Sequence, residues 1–314
     1  MIKQPIIVLT GPTAVGKTSL SIKLAKEING SIISADSMQV YKYMNIGSAK
    51  ITKEEMSGIK HYLIDILDPK EEFNIFLFKK LAKDAMEEIY SEGKIPIVAG
   101  GTGFYIQSLI YDIDFTEDED NSEIRDKYEQ ILKEKGKDYL YELLKKVDIK
   151  SAESIHMNNT KRVIRALEYY EINKSPISKH NEVESAKESP YNFEYFVLTK
   201  NREALYRDID RRVDIMINNG LIDEVIKLKG MGLNRNYISM QGIGYKEVLD
   251  YLDGKTSLED AIYIIKRDTR HFAKRQLTWF RREKKVTFID KDVYKDEESI
   301  LEYMKELLTK DGII

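Results

Sequence analysis

The chain has 314 residues, 33% of them charged and 42% hydrophobic, and a formal net charge of −3. This length accommodates one large core with an inserted lobe, because single domains usually hold about 100 to 200 residues. No apolar run approaches the roughly 20 residues of a membrane-spanning helix. The absence of cysteine excludes disulfides and thiolate metal sites, and four scattered histidines argue against zinc, which leaves a cation held by oxygen ligands.

The first apolar stretch, PIIVLT at residues 5–10, is too short for the hydrophobic core of a signal peptide. We interpret it as a buried first strand and expect a cytoplasmic protein without a membrane partner. The strand runs into GPTAVGKT, which matches the phosphate-binding pattern G-x-x-x-x-G-K-[ST] between a strand and a helix. In that pattern, backbone N–H groups and a lysine surround an anion, and a hydroxyl ligates Mg²⁺.

We therefore predict a phosphate site at this loop, with Thr18 as a Mg²⁺ ligand. A tight strand-to-helix turn without a ligand is the alternative. The predicted binding residues are Gly11, Pro12, Thr13, Ala14, Val15, Gly16, Lys17 and Thr18.

A second apolar stretch, SIISA, precedes Asp36 and places this carboxylate at the end of a strand. The position suits a general base, and equally a helix N-cap or an outer ligand of Mg²⁺. Gln39 favours the catalytic reading. Its amide offers a donor and an acceptor together, the pair that reads an adenine edge, although most glutamines are surface groups.

A kinase or NTPase usually adds a strand that ends in a metal-binding aspartate. The strand IPIVAG ends instead in GGTG, and Asp65 is only a weak substitute. Thr102, within GGTG, is placed to donate to a phosphate oxygen or to cap the helix that begins near Phe104.

The alternation of short strands and helices predicts an α/β fold, with a P-loop parallel-sheet core interrupted by an inserted helical lobe. We expect the first part of the core at residues 1–113, the lobe at 114–192, and the core completion with basic C-terminal helices at 193–314. HYLIDIL, FEYFVLT and KKVTFID are predicted strands. The run TEDEDNSE at 116–123 is strongly acidic.

Two helical stretches carry basic faces that suit a polyanion, although a solvated helix face explains either one alone. In the first, Lys161, Arg162 and Arg165 lie opposite the apolar Val163, Leu167 and Tyr170. The second, residues 266–285, has nine Lys or Arg against two acids. Its residues Arg267, Arg270, Lys274 and Arg281 share one face, and Phe272, Gln276 and Trp279 another. Spacing cannot decide between Arg211 and Arg212 as a group that reaches a pyrophosphate.

Several motifs occur together and in order: GPTAVGKT, SADSMQVYKYMNIGSAK, AGGTGFYIQSL, NNTKRVIRALE, RRVDIMINNGLIDEV, QGIGYKE and KRQLTWFRRE. In this combination the chain resembles the tRNA dimethylallyltransferases, bacterial isopentenyl transferases that modify tRNA. The resemblance implies that a dimethylallyl group passes from dimethylallyl diphosphate to the exocyclic amine of the adenosine on the 3′ side of the anticodon. It makes diphosphate the leaving group and Mg²⁺ the cofactor.

By the same resemblance, Asp36 is the general base, and Thr102 and Arg212 contact the diphosphate or its bridging oxygen. The segment Asp36, Ser37, Met38 and Gln39 receives the flipped adenine. Further contacts to the anticodon stem-loop of tRNA are implied for Thr102, Arg125, Lys161, Arg162, Arg165, Gly244, Tyr245, Lys274, Arg275, Gln276, Trp279 and Arg281.

We expect a monomer. The rival functions are a P-loop kinase of a small metabolite and an RNA-binding ATPase switch, both of which would turn over ATP or GTP.

Overall fold

The computed structural model describes residues 3–114 and 122–314, which form two compact units. Unit one comprises Met1–Asp112 and Ser189–Ile314, and unit two comprises Ile113–Glu188. Most of the acidic run predicted from the sequence, residues 116–121, lies outside the described residues. Within the described ranges, no helix is long and apolar enough to cross a membrane.

Unit one is built on a six-stranded parallel sheet, in the order β3-β2-β4-β1-β5-β6. The predicted α/β fold with a parallel-sheet core is therefore confirmed. The strands are β1 (Pro5–Thr10), β2 (Gly30–Ala35), β3 (His61–Tyr62), β4 (Ile95–Gly100), β5 (Asn192–Thr199) and β6 (Thr287–Asp290).

The helices pack on both faces of this sheet or form unit two. In chain order they are α1 (Lys17–Glu27), α2 (Lys53–Met56), α3 (Ile75–Ser91), α4 (Gly103–Ile110), α5 (Ser122–Val147), α6 (Ile149–Ser154), α7 (Thr160–Asn173), α8 (Ile177–Ala186), α9 (Arg202–Asn218), α10 (Leu221–Gly230), α11 (Tyr245–Leu252), α12 (Leu258–Phe280) and α13 (Glu297–Lys310). Parallel strands covered on both faces must be apolar on both. In β1, Ile6 and Val8 enter one core cluster, and Ile7 and Leu9 enter the other.

Two predicted strands are shorter than the sequence suggested. Only His61 and Tyr62 of HYLIDIL pair with β2, because Leu63 and Asp65 have positive φ angles of 62° and 58° that turn the backbone away. At the other edge, Lys284 to Val286 of KKVTFID precede the paired residues of β6.

Unit two is helical and has its own small core, centred on Leu140, Leu144, Val163 and Leu167. Helix α5 is interrupted at Gly136, where φ is 79°. The unit ends earlier than the sequence boundary at residue 192 suggested. Ser189 belongs to unit one, where its Oγ donates to Ile110 O at 2.7 Å, and β5 already begins at Asn192.

Three adjacent strands bring their carboxyl ends to one point. The register pairs Thr10 of β1 and Ala35 of β2 with the same residue of β4, Gly100. Thr10 Oγ1 donates to Gly100 O at 2.6 Å, and a Cβ at Gly100 would lie 2.3 Å from Ala35 O, so only glycine fits there. The segments that follow these strands therefore meet at one edge of the sheet, where ligands bind in open α/β folds.

Candidate functional site

The sheet edge opens into a cavity of about 480 Å³, which we call the large cavity. It is lined by Asp36, Thr102 and Arg212, the three residues predicted to be catalytic. A second cavity of about 110 Å³, the small cavity, shares Asp36 and Arg212 and adds Lys17 and Thr18. The structure thus brings the residues that follow β1, β2 and β4 together with one arginine from α9.

The loop between β1 and α1 has a backbone conformation that requires glycine at two positions. Gly16 is the N-cap of α1 with φ 93°, and Gly11 has φ 149°. A Cβ at Gly11 would lie 2.5 Å from Leu198 O, so a side chain is excluded there. Residues 14–18 line an open cavity of about 440 Å³ together with Lys200, Arg211, Arg212, Lys291 and one acid, Asp208. This arrangement suits an anion, because N–H groups at a helix N-terminus and several cations face the same space.

Lys17 and Arg212 are two neighbouring basic residues, each half-buried at the wall of the site. The Lys17 ammonium donates to Gly11 O at 3.0 Å and Pro12 O at 2.9 Å. Burial, and then the nearby Arg212, lower the pKa of Lys17 to about 7, while Asp36 opposes the shift. Burial also lowers the pKa of Arg212, and Asp36 again opposes this. A bound diphosphate would supply the negative charge that the pair lacks.

The two arginines that spacing left open differ in their surroundings. Arg211 is exposed, and its Nη2 donates to Asp208 Oδ1 at 2.9 Å. Both arginines line the open cavity beside the P-loop, but of the two only Arg212 also lines the large cavity and the small cavity.

Asp36 combines a turn with a free carboxylate oxygen. Its Oδ1 accepts from Met38 N at 2.8 Å and from Gln39 N at 3.3 Å, which fixes the backbone after β2. Among the residues that the structure describes, no hydrogen bond to Oδ2 is present. Holding the turn and accepting a substrate proton are therefore compatible, because each uses a different oxygen.

Thr102 is at the N-cap position of α4, but its side chain makes no capping hydrogen bond. Its backbone N–H donates to Ala35 O at 3.2 Å, and the residue lines the large cavity. Thr102 therefore caps α4 through its backbone and not through its side chain, and among the described residues no hydrogen bond of its hydroxyl is present.

The two glutamine amides at the site are both engaged within the protein. Gln39 lines the small cavity, and its Nε2 donates to Ser48 O at 3.4 Å and Ala49 O at 3.3 Å. Gln276 Oε1 accepts from Thr13 N at 2.9 Å, and its Nε2 donates to Gly101 O at 2.9 Å. That Gln39 reads adenine stays a prediction.

Two aromatic residues expected at the tRNA interface pack against the core of unit one, Tyr245 fully buried and Trp279 partly buried. The Tyr245 hydroxyl donates to Glu224 Oε1 at 2.8 Å, while the preceding Gly244 lines the large cavity. Trp279 lies against Gly103, where a Cβ would come within 2.2 Å of its ring. In this structure, both aromatic side chains support the cavity walls.

The basic face of unit two lies on α7 and the start of α5. Lys161 and Arg162 are exposed. Arg125 makes a two-pronged ion pair with the buried Glu168 at 2.7 and 3.2 Å, and Arg165 lies 4.0 Å from the same carboxylate. Arg125 and Arg165 therefore also stabilise the packing of α5 on α7.

The basic residues of α12 differ in how they are paired. Arg267 pairs with Asp268 and Arg270 with Asp210, so these two are partly neutralised. Lys274 and Arg281 are exposed. Arg275 is exposed as well, lies over the Phe272 ring at 5.7 Å and lines the large cavity.

Sequence reasoning missed most of the apolar wall of the large cavity. The wall includes Met38, Phe73, Tyr105, Ile209, Val213, Met216, Ile265 and Phe272. Met38 and Phe272 had been named from the sequence for other reasons, and on α9 Ile209, Val213 and Met216 recur at helical spacing beside Arg212. The cavity thus joins an apolar compartment to the cations at the P-loop.

Comparison with known proteins identifies the family. The family model described as IPP transferase matches residues 39–283. A tRNA dimethylallyltransferase of Lachnoclostridium phytofermentans is 56% identical over 311 residues, 99% of each chain. This chain belongs to the IPP transferase family.

Solved structures of related proteins agree with this assignment. A tRNA isopentenylpyrophosphate transferase of Bacillus halodurans has 45% identity and a TM-score of 0.74, with 99% of this chain and 98% of that one covered. A eukaryotic dimethylallyltransferase, captured acting on tRNA, has 29% identity and a TM-score of 0.79, covering 98% of this chain and 80% of that one. The predicted resemblance is confirmed.

Proposed function

We propose that this chain transfers a dimethylallyl group from dimethylallyl diphosphate to the exocyclic amine of the adenosine on the 3′ side of the anticodon in tRNA. The observation that carries the proposal is the shared lining of one cavity by Asp36, Thr102 and Arg212, next to the P-loop cations. The names of the relatives support the transferred group and the tRNA substrate.

In this reaction the nitrogen lone pair of the amine attacks the allylic carbon, and the carbon–oxygen bond to the diphosphate breaks. The bonding electrons leave with the diphosphate. Lys17, Arg212 and the backbone N–H groups of the P-loop stabilise the charge that develops there. Thr102 donates its hydroxyl to the bridging or a neighbouring oxygen.

Asp36 acts as the general base. Its Oδ2 takes the proton that the exocyclic amine loses as the carbon–nitrogen bond forms. The hydrogen bonds to Oδ1 hold the carboxylate still during this transfer. The apolar wall of the large cavity surrounds the dimethylallyl chain and the adenine, which must flip out of its stacked loop to reach the site.

The residues present fit a Mg²⁺ ion. Thr18 offers a hydroxyl at the small cavity, and Asp36 lines the same cavity. Among the described residues, no group of three or more His, Cys, Asp or Glu could hold a metal by itself. Mg²⁺ commonly binds through one or two protein oxygens and substrate phosphates, and it would neutralise charge on the leaving diphosphate.

The exposed cations supply the electrostatic attraction to tRNA. We assign this function to Lys161 and Arg162 in unit two, to Lys274 and Arg275 on α12, and to Arg281 directly after that helix. Unit two then forms a tRNA-contacting lobe, and the chain acts as a monomer.

The test is incubation of the protein with unmodified tRNA, Mg²⁺ and dimethylallyl diphosphate, followed by digestion and mass spectrometry of the nucleosides. We expect one adenosine per substrate tRNA to gain a C₅H₈ unit, and a tRNA with guanosine at that position to gain none. Turnover of ATP or GTP without modified adenosine would instead support a kinase or an ATPase switch.

A further inference from the structure

Glu224 is a buried carboxylate whose hydrogen bonds all go to groups near the large cavity. Its Oε2 accepts from Asn45 N and Ile46 N, both at 2.8 Å. Its Oε1 accepts from Gly47 N at 3.1 Å and from the Tyr245 hydroxyl at 2.8 Å. We call these five residues the Glu224 cluster. The side chain of Glu224 therefore meets three consecutive backbone donors and one phenol.

The cluster ties three chain segments together. Glu224 lies in the first turn of α10, Tyr245 is the first residue of α11, and the three backbone donors belong to the loop after β2. The packing is tight, because a Cβ at Gly47 would lie 2.6 Å from Tyr245 Cζ. Burial, and then the Glu224 carboxylate, raise the pKa of Tyr245 well above its usual value, so its hydroxyl stays protonated and donates.

Two of the tied segments supply wall residues of the large cavity. Gly47 and the adjacent Ser48 line it from the loop, and Gly244 and Lys246 line it from either side of Tyr245. From the opposite side, Gln39 Nε2 holds the carbonyl of Ser48. The loop wall thus has its backbone N–H groups fixed by Glu224 and its carbonyl groups fixed by Gln39.

We propose that Glu224, together with Tyr245, is a positioning residue for the transfer reaction, and that it holds the wall formed by Gly47 and Ser48 against the reacting groups. The proposal rests on the proposed function of the same cavity. A carboxylate suits this position because it presents only acceptors to four donors. Glutamine has the same volume, but its NH₂ group would face backbone N–H groups and leave at least one buried donor unsatisfied.

The test measures single-turnover rates with saturating tRNA and donor, at a temperature where every variant is folded. We expect Glu224→Gln to lower the rate by about tenfold to a hundredfold, because a misplacement of about 1 Å costs about that much. The KM for dimethylallyl diphosphate should stay within about twofold, since the P-loop and Arg212 lie outside the Glu224 cluster. Amide hydrogen exchange at residues 45–47 should speed up in the same variant.

Tyr245→Phe removes one of the four bonds and should cause a smaller loss in rate. In a Glu224→Gln background it should cause no further loss, because the two residues act through one contact. Tyr90→Phe is the matched control. The Tyr90 hydroxyl donates to Pro5 O at 2.8 Å, at the opposite end of β1, and its removal should leave the rate unchanged.

An unchanged single-turnover rate in Glu224→Gln, or unchanged exchange at residues 45–47, would overturn the positioning role. An equal loss in Tyr90→Phe would also overturn it, since any buried hydroxyl would then have the same effect. Failure of the wild-type protein to modify tRNA would contradict the proposed function instead. The exchange measurement would still report whether Glu224 holds the loop.

Discussion

Gln276 and Thr13 are joined across the site by a hydrogen bond of 2.9 Å, from the backbone N–H of the P-loop residue to the amide oxygen on α12. The other end of the same amide donates to Gly101 O at 2.9 Å. Gln276 therefore fixes the P-loop relative to the glycine turn that carries Thr102. That Gln276 contacts tRNA stays a prediction, and within the protein its amide links two segments of the donor site.

Replacing Gln276 with Leu keeps the volume but leaves the Thr13 N–H and the Gly101 carbonyl without their partner. We expect a loss of about 1–3 kcal/mol in the free energy of unfolding, and a higher KM for the donor. Denaturant titration and steady-state kinetics measure the two effects. Thr278→Ala, an exposed change on the same helix, should shift stability by no more than about 0.5 kcal/mol. Equal stability of the two variants would contradict the bridging role.

Asp36→Asn removes the proposed general base but keeps the hydrogen bonds that hold the backbone turn after β2. Asparagine keeps an oxygen that accepts from Met38 N and Gln39 N, so the backbone should hold its place, but it cannot take a proton. We expect the single-turnover rate to fall by about 10² or more, with little change in tRNA or donor affinity. Asp36→Ala, which also loses the turn, should be slower still and less stable. A rate within about threefold of wild type in Asp36→Asn would exclude a base at this position.

The pKa of about 7 at Lys17 predicts that donor binding depends on pH. In the free protein Lys17 loses its proton above that pH, and a bound diphosphate favours the charged form. Each binding event should therefore take up close to one proton at pH 8 and almost none at pH 6. Affinity should fall by up to about tenfold per pH unit above 7.

Calorimetry of donor binding without tRNA, in buffers of different ionisation enthalpy, measures this proton uptake. Measurements between about pH 7.5 and 9 avoid the titration of the donor itself, because the last proton of a terminal phosphate dissociates at about pH 6. Lys17→Arg stays charged throughout and should abolish the pH dependence. No proton uptake at pH 8 in the wild type would show that Lys17 is already charged in the free site.

The pairing of the α12 cations predicts which of them contribute to tRNA binding. The double variant Lys274→Ala with Arg275→Ala should reduce the slope of log affinity against log salt concentration by somewhat under two units. Each phosphate contact releases slightly less than about one counterion on binding, and the variant loses two such contacts. Arg267→Ala should change the slope far less, since Asp268 already pairs with Arg267. Filter binding across a salt series gives the slopes, and equal slopes for the two variants would refute the distinction.

The same measurement tests unit two. Lys161→Ala with Arg162→Ala removes two exposed cations without touching the buried Glu168, so the salt slope should flatten while the melting temperature stays within a few degrees. Arg165→Ala is a poorer probe, because Arg165 lies near Glu168 and its loss also affects packing. An unchanged slope in the double variant would remove α7 from the tRNA interface.

Residues whose surroundings are local could be predicted from the sequence. The P-loop, Asp36 and Thr102 each follow an apolar strand directly, so the strand pattern alone places them at one edge of a parallel sheet. The shortening of β3 could not be predicted, because the positive φ angles at Leu63 and Asp65 depend on the loops that pack around them.

The sequence did not reveal which side chains are buried or which partners they contact far along the chain. Tyr245 lies in a motif of the family, yet nothing in QGIGYKE shows that its side chain turns inward to a glutamate on another helix. Glu224 was missed for the same reason, because its three backbone donors are about 180 residues away along the chain. An acidic residue in an apolar helical stretch was the only signal, and solvated glutamates give the same one.

The Ser189–Ile110 hydrogen bond has a consequence for how this chain can diverge. The segment Ile113–Glu188 is an insertion in unit one, and the residues that flank it lie next to each other. The entropic cost of closing such an insertion grows only with the logarithm of its length, by about 0.6 kcal/mol per doubling. Mutation can therefore lengthen, shorten or exchange these helices while the carboxyl edge of β1, β2 and β4 keeps its arrangement.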